Sequence, residues 1–108
     1  MSQEDAARRS IAKLDVSNVG SVRELHERLA EALDFPDFYG KNWDAFWDSI
    51  TGLVDMPRRL IFTGWSNVAS RWPKDAEIML GCLHDLNEQY PSSSCEVELH
   101  SETARPAT

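Results

Sequence analysis

The chain has 108 residues, of which 42% are hydrophobic and 27% charged. That is one domain's length, with enough apolar material for a core. Against 18 Asp and Glu stand 11 Lys and Arg, a net charge of −7, which argues against a nucleic-acid binder with a phosphate-contacting basic face and suits a basic partner instead. The opening MSQEDAARRS lacks the apolar stretch of a signal peptide, and no segment approaches the roughly 18 apolar residues of a membrane span. The expected home is therefore the cytoplasm, away from any membrane, where Cys82 and Cys95 remain free thiols.

The elements read in chain order as follows. Ala12, Leu14 and Val16 alternate with Lys13 and Asp15, a period-two strand signal. Val22, Leu25, Leu29 and Ala32 follow helical spacing, and Ser21 with Glu24 forms a capping box ahead of them. DFPDFYG breaks that helix. A second helix begins after Asn42 as N-cap. In it Trp43, Phe46, Trp47 and Ile50 form the buried stripe, while Asp44, Asp48 and Thr51 occupy another side. Gly52 is placed as its C′ terminator. Leu60, Ile61 and Phe62 make an apolar run that fits a buried strand, and SNVASRWP supplies one helical turn before Pro73. A long helix follows, capped at Asp75, with Met79, Leu83, Leu86 and Tyr90 on one stripe. Cys95, Val97 and Leu99 alternate with Glu96 and Glu98 in a last strand with one wet face. The order predicts an α/β fold, a small three-stranded parallel sheet packed by three or four helices. The domain runs over 10–101, with flexible ends at 1–9 and 102–108.

Chemistry is sparse. There is no Gly-rich phosphate loop and no nucleophile elbow. His26, His84 and His100 fall on separate elements without metal-ligand spacing, and all three read as surface or boundary side chains. No cofactor or metal site is expected. Asp44 and Asp48 lie one turn apart, a repulsion of about 0.2–0.5 kcal/mol on an exposed helix. As a catalytic pair they would need burial to separate their acidities, so a carboxylate hydrolase is the least favoured reading. Carboxylates beside aromatics fit a protein-recognition surface better. Six acids, Glu31, Asp34, Asp37, Asp44, Asp48 and Asp55, fall in this stretch, with Lys41 opposing them.

The stretch LHERLAEALDFPDFYGKNWDAFWDSITGLV resembles the heart of the barstar family, intracellular inhibitors of secreted barnase-like ribonucleases. Leu25-His26, Pro36, Tyr39-Gly40, Asn42, Asp44-Ala45, Trp47-Asp48 and Thr51-Gly52 carry the likeness. The resemblance implies a non-catalytic antitoxin or immunity protein, monomeric when free and binding its ribonuclease 1:1. It places the partner-binding residues at Phe38, Asn42, Asp44, Trp47, Asp48, Thr51 and Gly52, with Asp85 on the last long helix. Phe38 stands where the family often has Tyr, Leu53 where its namesake has an aromatic, and Lys41 where it has an acid; these bear on partner choice. The alternative is an acidic module for another basic partner.

Overall fold

The computed structural model describes residues 8–102. Strands β1 (Ile11–Asp15), β2 (Arg59–Thr63) and β3 (Glu96–Leu99) form one parallel sheet in the order β1-β2-β3, with Leu14 beside Phe62 and Phe62 beside Leu99. Helices α1 (Val22–Leu33) and α2 (Trp43–Gly52) connect β1 to β2. Helices α3 (Trp65–Arg71) and α4 (Pro73–Gln89), then a 3-10 turn (Pro91–Ser93), connect β2 to β3. This is the helix-packed three-stranded parallel sheet that the chain order predicts, with four helices.

Alternation along the strands decides which face the helices cover. Ala12, Leu14, Leu60 and Phe62 are buried, while Ile11, Lys13, Asp15 and Glu96 are exposed. Against the buried face pack Leu25, Leu29 and Leu33 of α1, Phe46 and Ile50 of α2, Val68 of α3, and Met79, Leu83 and Leu86 of α4. The open face is charged and internally paired: Arg59 meets Glu96 at 3.5 Å and Glu98 at 3.9 Å. No helix of the described residues is long and apolar enough to cross a membrane.

Local chemistry explains the element ends. Ser21 Oγ accepts the Glu24 N–H at 3.0 Å, and Glu24 Oε1 accepts the Gly20 N–H at 3.1 Å, so the reciprocal bond reaches one residue ahead of the cap. The α1 terminator is Asp34, in the left-handed region at φ 59°, its N–H donating to Ala30 O. Asp, like Asn, tolerates that region better than most residues because its short polar side chain can bond locally.

Several expectations are corrected. Gly52 is not a left-handed terminator: α2 runs through it, Leu53 caps in a right-handed conformation, and the Leu53 and Val54 N–H groups both reach Ser49 O. The carbonyl is met without a left-handed residue. The single turn expected after β2 is the seven-residue α3, which stops at Trp72 because Pro73 disfavours a helical predecessor. Asp75 does not cap α4. Pro73 occupies the first turn with its backbone preset, which moves the start ahead of Asp75 and leaves Trp72 as a cap with no side-chain bond. Tyr90 leaves the buried stripe and is 44% exposed, since Pro91 pushes it out of helical geometry. Leu99, at the end of an edge strand, is 40% exposed.

Of the two ends, residues 1–7 and 103–108 lie outside the described residues. Arg8 and Arg9 lie within them and bond to the folded chain. The Arg8 guanidinium donates to Met56 O at 2.8 Å, Ser92 O at 2.9 Å and Ser94 O at 2.7 Å, bridging the segments that lead into β2 and β3.

Gly64 joins β2 to α3 at φ +69°, where an added Cβ would meet Ser17 Cβ at 2.3 Å and Ser17 backbone atoms at 2.6 Å. Backbone strain of this kind costs about 1–3 kcal/mol before any clash is relieved. Gly64→Ala should lower the urea midpoint clearly, and an unchanged midpoint would show that the β1–β2 ends yield.

Candidate functional site

Helix α2 and the loop before it supply most of the candidate residues. Asn42 Oδ1 accepts the Ala45 N–H at 2.7 Å, which satisfies one open N–H of the first turn. Its amide NH2 has only a long contact to Gly40 O, 3.4 Å, so a donor faces outward. From there the helix divides. Phe46, Ser49 and Ile50 point into the core and are buried. Asp44, Asp48 and Gly52, spaced by four, are all exposed and form an outward ridge. Trp43 and Trp47 are half-buried on the flank.

The ridge is a surface of acceptors. Thr51 spends its hydroxyl proton on Trp47 O at 2.7 Å, leaving only lone pairs. A Cβ at Gly52 would meet nothing within 4 Å, so the free chain has no steric need for glycine there. Among the described residues no cation lies within ion-pair distance of Asp44, Asp48 or Asp85; the pairs that do form lie on α1, between α1 and Lys41, on α4 at His84–Glu88, and on the sheet. Apolar side chains stand at both ends of the ridge, Phe38 at 69% and Leu53 at 53% exposure. Lys41, at φ 54°, turns to Glu27 at 3.6 Å, so its charge is partly spent on α1.

Helix α4 flanks the ridge. Trp43 Nε1–H donates to Asp75 Oδ1 at 2.9 Å, and the Trp47 and Tyr90 rings lie 6.4 Å apart. The half-buried Cys82 thiol is pushed up by burial first, then by the charges of Asp85 and Asp44. Both carboxylates thus act on the one thiol, Asp85 from α4 and Asp44 from α2.

Residues 9–103 match the family described as Barstar (barnase inhibitor). The chain belongs to the barstar family. A Bacillus subtilis (strain 168) protein described as "Putative ribonuclease inhibitor YrdF" is 46% identical over 76 residues, covering 70% of this chain and 84% of that protein.

In this barstar-family fold, seven of the eight candidates lie on α2 or the loop leading to it, and Asp85 lies on α4, the helix that packs against α2. The sequence missed the support beneath the ridge. His26, read as a surface or boundary side chain, is 1% exposed, because α1 presents it to the aromatic cluster of Tyr39 and Trp43 rather than to solvent. Asp75 was visible only as a helix cap; its bond to Trp43 spans 32 positions and leaves no local trace. His84 and His100 are exposed, as read. Among the described residues no group of three or more His, Cys, Asp or Glu is placed to hold a metal ion.

The two thiols differ in setting. Cys95 is buried, and burial pushes it up to about 11. A thiol reagent at mildly alkaline pH should modify Cys82 slowly and Cys95 only once the fold opens. Asp85→Asn or Asp44→Asn should speed the reaction of Cys82 by removing a charge that resists the thiolate. Equal rates in wild type and both variants would separate Cys82 from the carboxylates.

Proposed function

We propose that this chain inhibits a secreted barnase-like ribonuclease by docking the α2 ridge into the enzyme's cationic active-site cleft. Phe38, Asn42, Asp44, Trp47, Asp48, Thr51, Gly52 and Asp85 form the contact in a 1:1 complex, and the inhibitor works in the cytoplasm as an immunity protein. The observation that carries this reading is the exposed row of carboxylates on α2, without a cation partner among the described residues, in a barstar-family chain. An enzyme that cleaves RNA lines its cleft with Arg, Lys and His to hold phosphates. Carboxylates stepping along a helix can take the phosphate positions without offering a scissile bond. Surplus negative charge, −7 in all, raises the encounter rate with such an enzyme. The ridge itself repels nucleic acid, so the target is the enzyme rather than its substrate.

The acids also explain a cost. Asp48 sits a turn into α2, beyond the reach of the favourable N-terminal dipole, and no basic residue lies in the helix's last turn. A cationic cleft removes that repulsion.

Two substitutions separate binding from folding. Asp48→Ala takes away a like charge and installs a better helix former, so the free protein should keep or gain some tenths of a kcal/mol. In the complex it should cost about 2–5 kcal/mol, the range known for truncating buried interfacial charge pairs, of which barnase–barstar is itself an example. Ile50→Ala should lose about 2–5 kcal/mol of stability through a core cavity, with little direct effect on contacts. Thermal melts and titrations against barnase, or a ribonuclease captured from culture medium, read both. Lower melting of Asp48→Ala with untouched binding would make Asp48 structural and sink the interface assignment.

A further inference from the structure

Among the described residues, His26 Nε2 is the buried side-chain nitrogen or oxygen that finds no hydrogen-bond partner. The ring's other nitrogen, Nδ1, lies 2.6 Å from the Tyr39 hydroxyl, and its centroid is 4.1 Å from that of Trp43. Each neighbour has a structural task. Trp43 is the first residue of α2 and is tied to Asp75 on α4. Tyr39 belongs to the loop that delivers the chain to α2, and its N–H donates to Pro36 O at 3.0 Å. Four segments thus converge on one imidazole. We propose that His26 is a positioning residue for the N-terminal end of α2, and that its protonation loosens that end, so that the acidic ridge is held firmly at neutral pH and released on acidification. The effect on partner binding rests on the inhibitor reading above; the loosening does not.

Protonation changes the number of donors that must be met. Neutral imidazole has one N–H and one acceptor; the cation has two N–H donors. The Tyr39 oxygen can take one of them. Among the described residues nothing takes the other, and a buried charged donor without a partner is expensive. The groups facing the ring are the Asp75 carboxylate and the Tyr39 phenol, and the Cys82 thiol acts on Tyr39 in turn. Burial pushes both the phenol and the thiol up, so they stay neutral from acid to neutral pH and Asp75 is the facing charge. On α1 itself the neighbouring Glu27 is engaged by Arg23 and Lys41. Asp75 favours the imidazolium, yet burial outweighs it and holds His26 below the ordinary histidine value of 6.5. The folded state therefore resists a proton that the unfolded chain accepts. The contribution of His26 is whole above that value and drains away as pH falls below it.

The test uses the free protein first. Histidine NMR follows the titration of His26, with exposed His84 and His100 as references, while hydrogen exchange, corrected for its intrinsic pH dependence, follows the amides of 39–46. As His26 takes its proton, protection in 39–46 should fall by about tenfold while the β1 and β2 amides keep theirs. Asp75→Asn keeps an acceptor for the Trp43 indole but removes the charge that favours imidazolium; both midpoints should move together to lower pH. His26→Gln should make protection in 39–46 independent of pH over that interval, and if this variant does not fold, wild type and Asp75→Asn decide. Protection that stays flat through His26 protonation overturns the proposal, as does loss in the sheet at the same pH, or an unmoved midpoint in Asp75→Asn. Barnase titrations over the same range should weaken with the same midpoint. Absence of barnase binding at every pH would count against the inhibitor reading alone, leaving the exchange data to judge His26.

Discussion

Ten residues of helix with two carboxylates and no cation do not hold themselves together in water. The burial of Phe46 and Ile50 against the sheet and its other helices is therefore what the rest of the structure depends on. It fixes the rotation of α2, and the rotation decides what faces out. With Phe46, Ser49 and Ile50 turned inward, the spacing of an α-helix leaves Asp44, Asp48 and Gly52 no choice but to form the outer ridge. The fold does not need those acids; it needs their neighbours.

That division separates stability from recognition along a single short helix. The inner row contributes hydrophobic burial and close packing. The outer row weakens the free helix through repulsion and, in the proposed interface, is the charge that faces the partner. The ends are managed differently again: Asn42 caps the start through its carbonyl while its amide group faces outward, and the finish is closed by backbone bonds to Ser49 O. A proposed interface built this way can be strongly charged without unfolding its owner, because the energy that orients it comes from residues the partner does not touch. The flank is less independent. Trp43 is at once a packed side chain, the partner of Asp75 and a neighbour of His26, so the start of the ridge is coupled to α1 and α4.

Much of this was legible in the chain. Ser21 and Asn42 announce both helix starts because capping is local chemistry, one side chain and an N–H three residues on. Alternation in β1, and the apolar run of β2, follow from a sheet with one covered face and a central strand. The rows of α2 follow from helical period. What was not legible is long-range or decided by competition. Pro73 preset the backbone and took the start of α4 from Asp75. Pro91 pulled Tyr90 out of its stripe. The burial of His26 could be seen only once Tyr39 and Trp43 were known to meet over it, since nothing in a helix sequence distinguishes a histidine facing water from one facing an aromatic cluster. For the candidate site, periodicity separated the acidic row from the core row, whereas the naming of its eight residues came from resemblance. The packing of α4, which carries Asp85, on α2 came only with the fold.

A ribonuclease partner should touch the α2 ridge and leave the open sheet face free. The most direct measurement is the amide NMR spectrum of the isotope-labelled chain, free and with an equimolar basic ribonuclease. Perturbations centred on 38–53, with a second group around Asp85, are the predicted result. Perturbations centred instead on the outer sheet face, at Lys13, Arg59 and Glu96, with α2 unmoved, would contradict it.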